Sequence, residues 1–125
     1  MHLVPADRAH RRTIDGHRAC QAIEALRRQP VSAWAKRLSL LGEPSRLSLL
    51  VCMRDGPISV SDLAIATDLA DAKVSQILRL LRAEGIVNAH RDGRIVRYTL
   101  GDPAIAHVLD ELITVPPTAQ ARAAT

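Results

Sequence analysis

Aromatic residues are nearly missing from this chain, which has one Trp (Trp34), one Tyr (Tyr98) and no Phe. A platform that stacks the bases of single-stranded nucleic acid needs several aromatic faces, so the shortage speaks against that mode. Cysteine is scarce too, with only Cys20 and Cys52. Two thiols are too few for a disulfide-stapled scaffold, and a chain of 125 residues can build a core without one. No apolar run reaches membrane-spanning length, so no transmembrane helix is expected. The opening residues MHLVPADRAHRR lack the apolar stretch and small-residue end of a secretory signal, and the expected location is the cytoplasm. Catalytic signatures are missing as well: no Gly-rich phosphate loop, no nucleophile elbow, no His-Glu pair at metal-hydrolase spacing. The five His are scattered, and an enzyme is not expected.

What is present is ordinary globular composition with a basic balance. Hydrophobic residues make up 47% and charged residues 24%, enough for one domain with one core. The 17 basic residues outnumber 13 acidic ones, for a net charge of +4. A small basic domain favours an anionic partner, with nucleic acid the first candidate.

Residues 1–12 carry His2, His10, Arg8, Arg11 and Arg12 without periodicity and read as a flexible basic arm. Over 13–29, Ile14, Cys20, Ile23 and Leu26 fall near one stripe of a helix that Pro30 ends. A second helix is expected from about Ser32 to Leu41, stopped by Gly42, and Glu43-Pro44-Ser45 opens a third. The third is apolar on most sides and is expected to be central. Two short helices follow, SDLAIATD capped by Ser59 or Ser61, and AKVSQILRLLRAE capped by Asp71. Only Asp68-Leu69-Ala70 separates them, a helix-turn-helix spacing. In the second of the pair, Val74, Ile77, Leu78 and Leu81 point inward, leaving Lys73, Gln76, Arg79 and Arg82 outward.

After Gly85 the period changes to two. Residues 86–90 and 94–100 read as strands joined by a hairpin at Asp92-Gly93 and decorated by Arg91, Arg94 and Arg97. A last helix runs from about Pro103 to Ile113, and the tail 115–125 reads as disordered. The expected organisation is an arm and extra helix (1–30), a DNA-binding and dimerisation domain (31–114) and a tail (115–125). The expected fold is mainly α with a small β-hairpin, a winged helix-turn-helix in the order α-α-α-α-α-β-β-α. Such a fold places a recognition helix in the major groove of duplex DNA and a wing on the neighbouring backbone. The DNA-contacting candidates are Lys73, Ser75, Gln76, Arg79, Arg82, Arg91, Arg94 and Arg97. A winged helix serving protein–protein contact would instead present an apolar or mixed outer helix face.

Four segments carry a family resemblance: LGEPSRLSLL, ISVSDLA, KVSQILRLLRAEGIV and RDGRIVRYTL. In order and spacing they resemble the ArsR/SmtB family of winged-helix repressors, over about Trp34 to Leu112. The chain departs from the family pattern at Ile77, where a His is usual, and at Asp71-Ala72, where Ser-Gln is common. The resemblance implies a homodimer joined through the helix of Trp34 and the last helix. It also implies binding to a partly palindromic operator and release by an inducer, often a metal ion.

The family's sensing positions are largely vacant. Its Cys-x-Cys pair falls on Ser59 and Ser61. Its last-helix ligand positions hold Asp102 but otherwise Ala104, Val115 and Thr118, with His107 out of register. What remains is Cys20, Cys52 and His17. His17 and Cys20 share one helix face, with Glu24 beside them. Two thiolates with at most one imidazole suit a thiophilic ion such as Hg(II), As(III) or Cd(II). The alternatives are a thiol-redox or persulfide switch on the same cysteines, a Cys52 that is plain core, or a regulator with no small inducer.

Overall fold

The structure is a computed structural model and describes residues 5–8 and 11–114. His2, His10, Val115, Thr118 and the tail lie outside the described residues. The chain divides into two compact units, with the boundary between Leu38 and Ser39.

In the first unit, Ala6–Arg8 form a single 3-10 turn inside the segment expected to be irregular. Helix α1 spans Gly16–Arg28. Gly16 opens this helix, because Asp15 is its cap and accepts a hydrogen bond from the Arg18 backbone N–H at 3.0 Å. No α1 residue is buried; Ile14, just before the helix, and Leu26 within it are exposed. Helix α2 spans Val31–Leu41 and contains the boundary between the units.

The second unit holds the core. Helix α3 spans Pro44–Cys52 and runs into a 3-10 turn over Met53–Asp55. Strand β1 (Ile58–Ser59) leads into α4 (Val60–Thr67), and α5 (Asp71–Ala83) follows the three-residue turn. Strands β2 (Val87–Asp92) and β3 (Ile95–Leu100) precede α6 (Pro103–Thr114). The mainly helical winged helix-turn-helix expected from the sequence is what the chain adopts. The element order gains β1, which makes the sheet three-stranded and antiparallel in the order β1-β3-β2. Two residues are too few to show a period, and β1 exists because β3 offers it an edge, Ile58 facing Tyr98 and Ser59 facing Arg97.

The core is aliphatic. Leu49, Leu50, Leu63, Val74, Leu78, Leu81, Ile86, Val87 and Leu109 are all but inaccessible to solvent. Helix α3 is central through one side only, since Leu49 and Leu50 are buried while Val51 is exposed. The EPxR segment has a local physical meaning. The Glu43 carboxylate caps α3, accepting from the backbone N–H groups of Ser45 (3.1 Å) and Arg46 (3.0 Å). The Arg46 guanidinium turns back and donates from Nε to the Leu40 carbonyl (2.9 Å) and from Nη2 to the Ser39 carbonyl (3.3 Å). It thereby occupies the C-terminal end of α2, where a cation is favoured.

The two backbone N–H donors hold the Glu43 carboxyl below its ordinary value. Its contribution to stability is therefore complete above the ordinary carboxylate pKa and lost as pH falls through the lowered one. Urea denaturation should show Glu43→Gln less stable than the native chain at pH 7, with the gap narrowing on acidification to pH 3. A gap that stays constant over that range would mean the charge contributes nothing.

Candidate nucleic-acid interface

The helix-turn-helix is set by where α4 stops. Ser59 caps α4, its Oγ accepting from the Asp62 backbone N–H at 3.2 Å. Asp68 ends it in the left-handed region (φ 57°), a conformation that Asp tolerates better than most residues. Leu69 then packs against the core and Ala70 returns to extended backbone. Asp71 does not cap α5 as expected. The capping position is Ala70, with no side-chain bond, and Asp71 sits inside the first turn. There its carboxylate still favours the positive end of the helix.

Four of the thirteen α5 residues anchor it, Val74, Ile77, Leu78 and Leu81, all buried. Lys73, Gln76, Arg79 and Arg82 are exposed and Ser75 is half-buried, as the helical period requires. Ile77, at the position where the family usually has His, belongs to the core stripe.

The ribbon's register decides which way each wing residue faces. Asp92 pairs with Ile95, so the loop is Gly93–Arg94, one residue later than the expected Asp92-Gly93 turn. Gly93 supplies the positive φ (64°) that such a two-residue loop needs. Directly paired residues share a face, and faces alternate along each strand. Val87/Leu100, Ala89/Tyr98 and Arg91/Val96 therefore share the core-side face. Asn88/Thr99, His90/Arg97 and Asp92/Ile95 share the other. Arg91 and Arg97 thus lie on opposite faces, with Arg94 at the tip. Arg97 is also held locally, its Nη1 donating to Asp92 Oδ2 at 2.7 Å. His90, beside it, meets Thr99 Oγ1 at 3.1 Å.

Between α5 and the core-side face of the ribbon lies a cleft of about 270 Å³ lined by Ser75, Leu78, Arg79, Arg82 and Tyr98. A second cleft, about 450 Å³, places Arg94 next to Ser61 and Asp62 at the start of α4. Two α5 cations thus line the first cleft, and the wing tip borders the second. Tyr98 is the residue that sequence reasoning left without a role. Its signal was available, as the one aromatic side chain in an otherwise aliphatic and polar ribbon.

His17, Cys20 and Glu24 line one face of α1, and Cys20 is half-exposed. Cys52 closes α3, half-exposed, and lines two clefts of the second unit, one with Leu47, Val51 and Ala66 and one with Asp55 and Ile58. Cys52 is therefore not sealed in the core. Neither sulfur is in a disulfide, and among the described residues no group of three or more His, Cys, Asp or Glu gathers to hold a metal.

This fold and surface define a winged helix-turn-helix regulator that binds DNA. Residues 43–89 match the sequence profile of the bacterial regulatory protein, arsR family. The HTH-type transcriptional regulator NmtR of Mycobacterium tuberculosis is 42% identical over 85 residues, covering 68% of this chain and 71% of NmtR. Among solved structures, the transcriptional repressor BigR from Xylella fastidiosa superposes with a TM-score of 0.66 at 27% identity, over 75% of this chain and 97% of that one. A predicted DNA-binding transcriptional regulator from E. coli gives 0.67 at 26% identity, over 74% and 98%. The chain belongs to the ArsR/SmtB family.

Proposed function

We propose that this protein is a cytoplasmic transcriptional repressor that binds its operator as a homodimer and is released by a thiophilic ion, Hg(II), As(III) or Cd(II), held by Cys20 and Cys52 with His17 as a third ligand. The observation that carries the DNA-binding assignment is the outward strip of α5. It presents Lys73, Gln76, Arg79 and Arg82, with Asp71 the one acidic residue of the helix, beside a wing tipped by Arg94. Lys73, Ser75 and Gln76 sit in the N-terminal half of the recognition helix, the part that meets base edges in this class of fold. Arg79, Arg82, Arg91, Arg94 and Arg97 carry phosphate contacts, with Arg97 contributing least because Asp92 already shares its charge.

Gel shifts on an operator fragment test this division. Arg79→Ala and Arg94→Ala should each weaken binding to every duplex by about 1 kcal/mol. Gln76→Ala should instead change the preference among operators. A uniform loss for Gln76→Ala, or duplex binding that does not weaken with salt, would count against the assignment.

Two-fold assembly is supported by uncovered apolar residues. Val31, Trp34 and Leu38 are exposed on α2, at a spacing that puts them on one side of the helix, and Leu112 and Ile113 are exposed on α6. Sedimentation should find native dimers, and Leu38→Glu should shift them toward monomers with weaker operator affinity.

The inducer assignment rests on thiolate chemistry. Two accessible, unbridged sulfurs are soft ligands, and of the family's other sensing positions only Asp102 keeps a ligand-type residue in this chain. Cys52→Ser should bind operator normally and fail to release it with Hg(II), while Cys20→Ser should lose tight Hg(II) binding. Release by oxidant or persulfide but not by metal would favour the thiol-switch reading of the same pair. Retained release in Cys52→Ser would leave Cys52 a packing residue and the regulator without this inducer.

A further inference from the structure

Tyr98 is half-buried on the core-side face of β3 and lines the α5–ribbon cleft with Ser75, Leu78, Arg79 and Arg82. Arg79 and Arg82 are three residues apart and so lie on one strip of the helix. Neither guanidinium has an ion pair or hydrogen bond among the described residues, and no carboxylate lines the cleft. The Ser75 and Tyr98 hydroxyls likewise have no side-chain partner there. Each guanidinium offers five N–H donors and no acceptor, and each hydroxyl offers one more donor. Donors crowd this recess and charged acceptors are missing, which is the complement of an oxyanion.

Its position narrows the anion. Arg79 and Arg82 follow Gln76 by three and six residues, about 4.5 and 9 Å farther along the helix axis. They lie past the end that enters the groove and beside the wing, where the sugar-phosphate backbone of a bound duplex would pass. Leu78 lines the same cleft as an apolar wall, so charge-assisted bonds formed there are less diluted by water.

We propose that the cleft seats one phosphodiester of the operator backbone per half-site. Arg79 and Arg82 supply forked donors and Tyr98 a hydroxyl donor, so Tyr98 is a DNA-binding residue. This rests on the DNA-binding reading of α5 and assigns its C-terminal half to a single phosphate. Guanidinium geometry matters at such a seat, because a lysine keeps the charge and loses the fork.

The test uses the full chain and an arbitrary 30-bp duplex, since backbone contacts do not depend on sequence. Affinity is measured by fluorescence anisotropy across a range of salt, with thermal melting to check the fold. Tyr98→Phe is isosteric and should weaken binding about fivefold to tenfold without changing the salt slope or the melting temperature. Arg82→Lys should lose a similar factor at unchanged slope, and Arg82→Ala should also flatten the slope by about one ion. The Tyr98→Phe/Arg82→Lys pair should lose less than the product of the single losses, because both serve one phosphate. Arg27→Ala, on α1, is the control and should bind as native.

Native salt-dependent binding with Tyr98→Phe and Arg82→Lys unaffected would overturn the phosphate seat and leave the DNA-binding reading standing. No duplex binding by the native chain at low salt would overturn both. Inorganic phosphate is titrated alone by calorimetry, and no saturable binding is expected. Saturable phosphate binding that Arg82→Ala removes, with duplex affinity intact, would assign the cleft to a free phosphate and overturn the backbone assignment.

Discussion

The burial of four side chains on one helix governs everything outward of it. Val74, Ile77, Leu78 and Leu81 lock α5 in rotation against Leu49, Leu50, Leu63 and Leu109, all essentially dry. A helix anchored on that stripe has no freedom to turn, so the residues one step around it must face solvent. The DNA-facing strip is in this sense the by-product of the core. Polar change within the stripe would release α5 and the cations with it, whereas change on the strip leaves the fold intact. The left-handed Asp68 and buried Leu63 then set where α4 meets α5, and Ile86 and Val87 tie the ribbon to the same core.

Charge follows from this arrangement more than from the net value of +4. On the ribbon, Arg97 is matched by Asp92 on the far face, while Arg91 shares the opposite face with Val96 and Arg94 caps the tip. Arg79 and Arg82 thus border the cleft between recognition helix and wing, and Arg94 the wing's tip. A surface of this shape draws a polyanion in over distances that salt controls, then holds it through short bonds that it controls less.

The family motif has two kinds of content. In EPxR, Glu43 and Arg46 satisfy backbone groups at the facing ends of α3 and α2, which is architecture. In the wing motif, Gly93 permits the two-residue loop, Arg94 stands at its tip and Tyr98 reaches the α5 cleft, which joins architecture to binding. Cys20 and Cys52 belong to neither motif. Both are half-exposed thiols.

Local pattern alone determined the helices, the three-residue turn, the inward stripe of α5 and the hairpin, because helical and strand periods and turn residues act over a few positions. The same logic identified Lys73, Gln76, Arg79 and Arg82 as outward-facing. Strand register, the brief β1, the cap at Ala70 and the separation of Arg91 from Arg97 were decided only in the folded chain. β1 needs the edge of a strand distant in sequence, while the ribbon's register and the Ala70 cap follow from backbone pairing and helix-end geometry that residue pattern does not specify. Tyr98 shows the difference most clearly. Its period-two position placed it on a face of the ribbon, but only the packing of β3 beside α5 brought it alongside the Arg79 and Arg82 side chains.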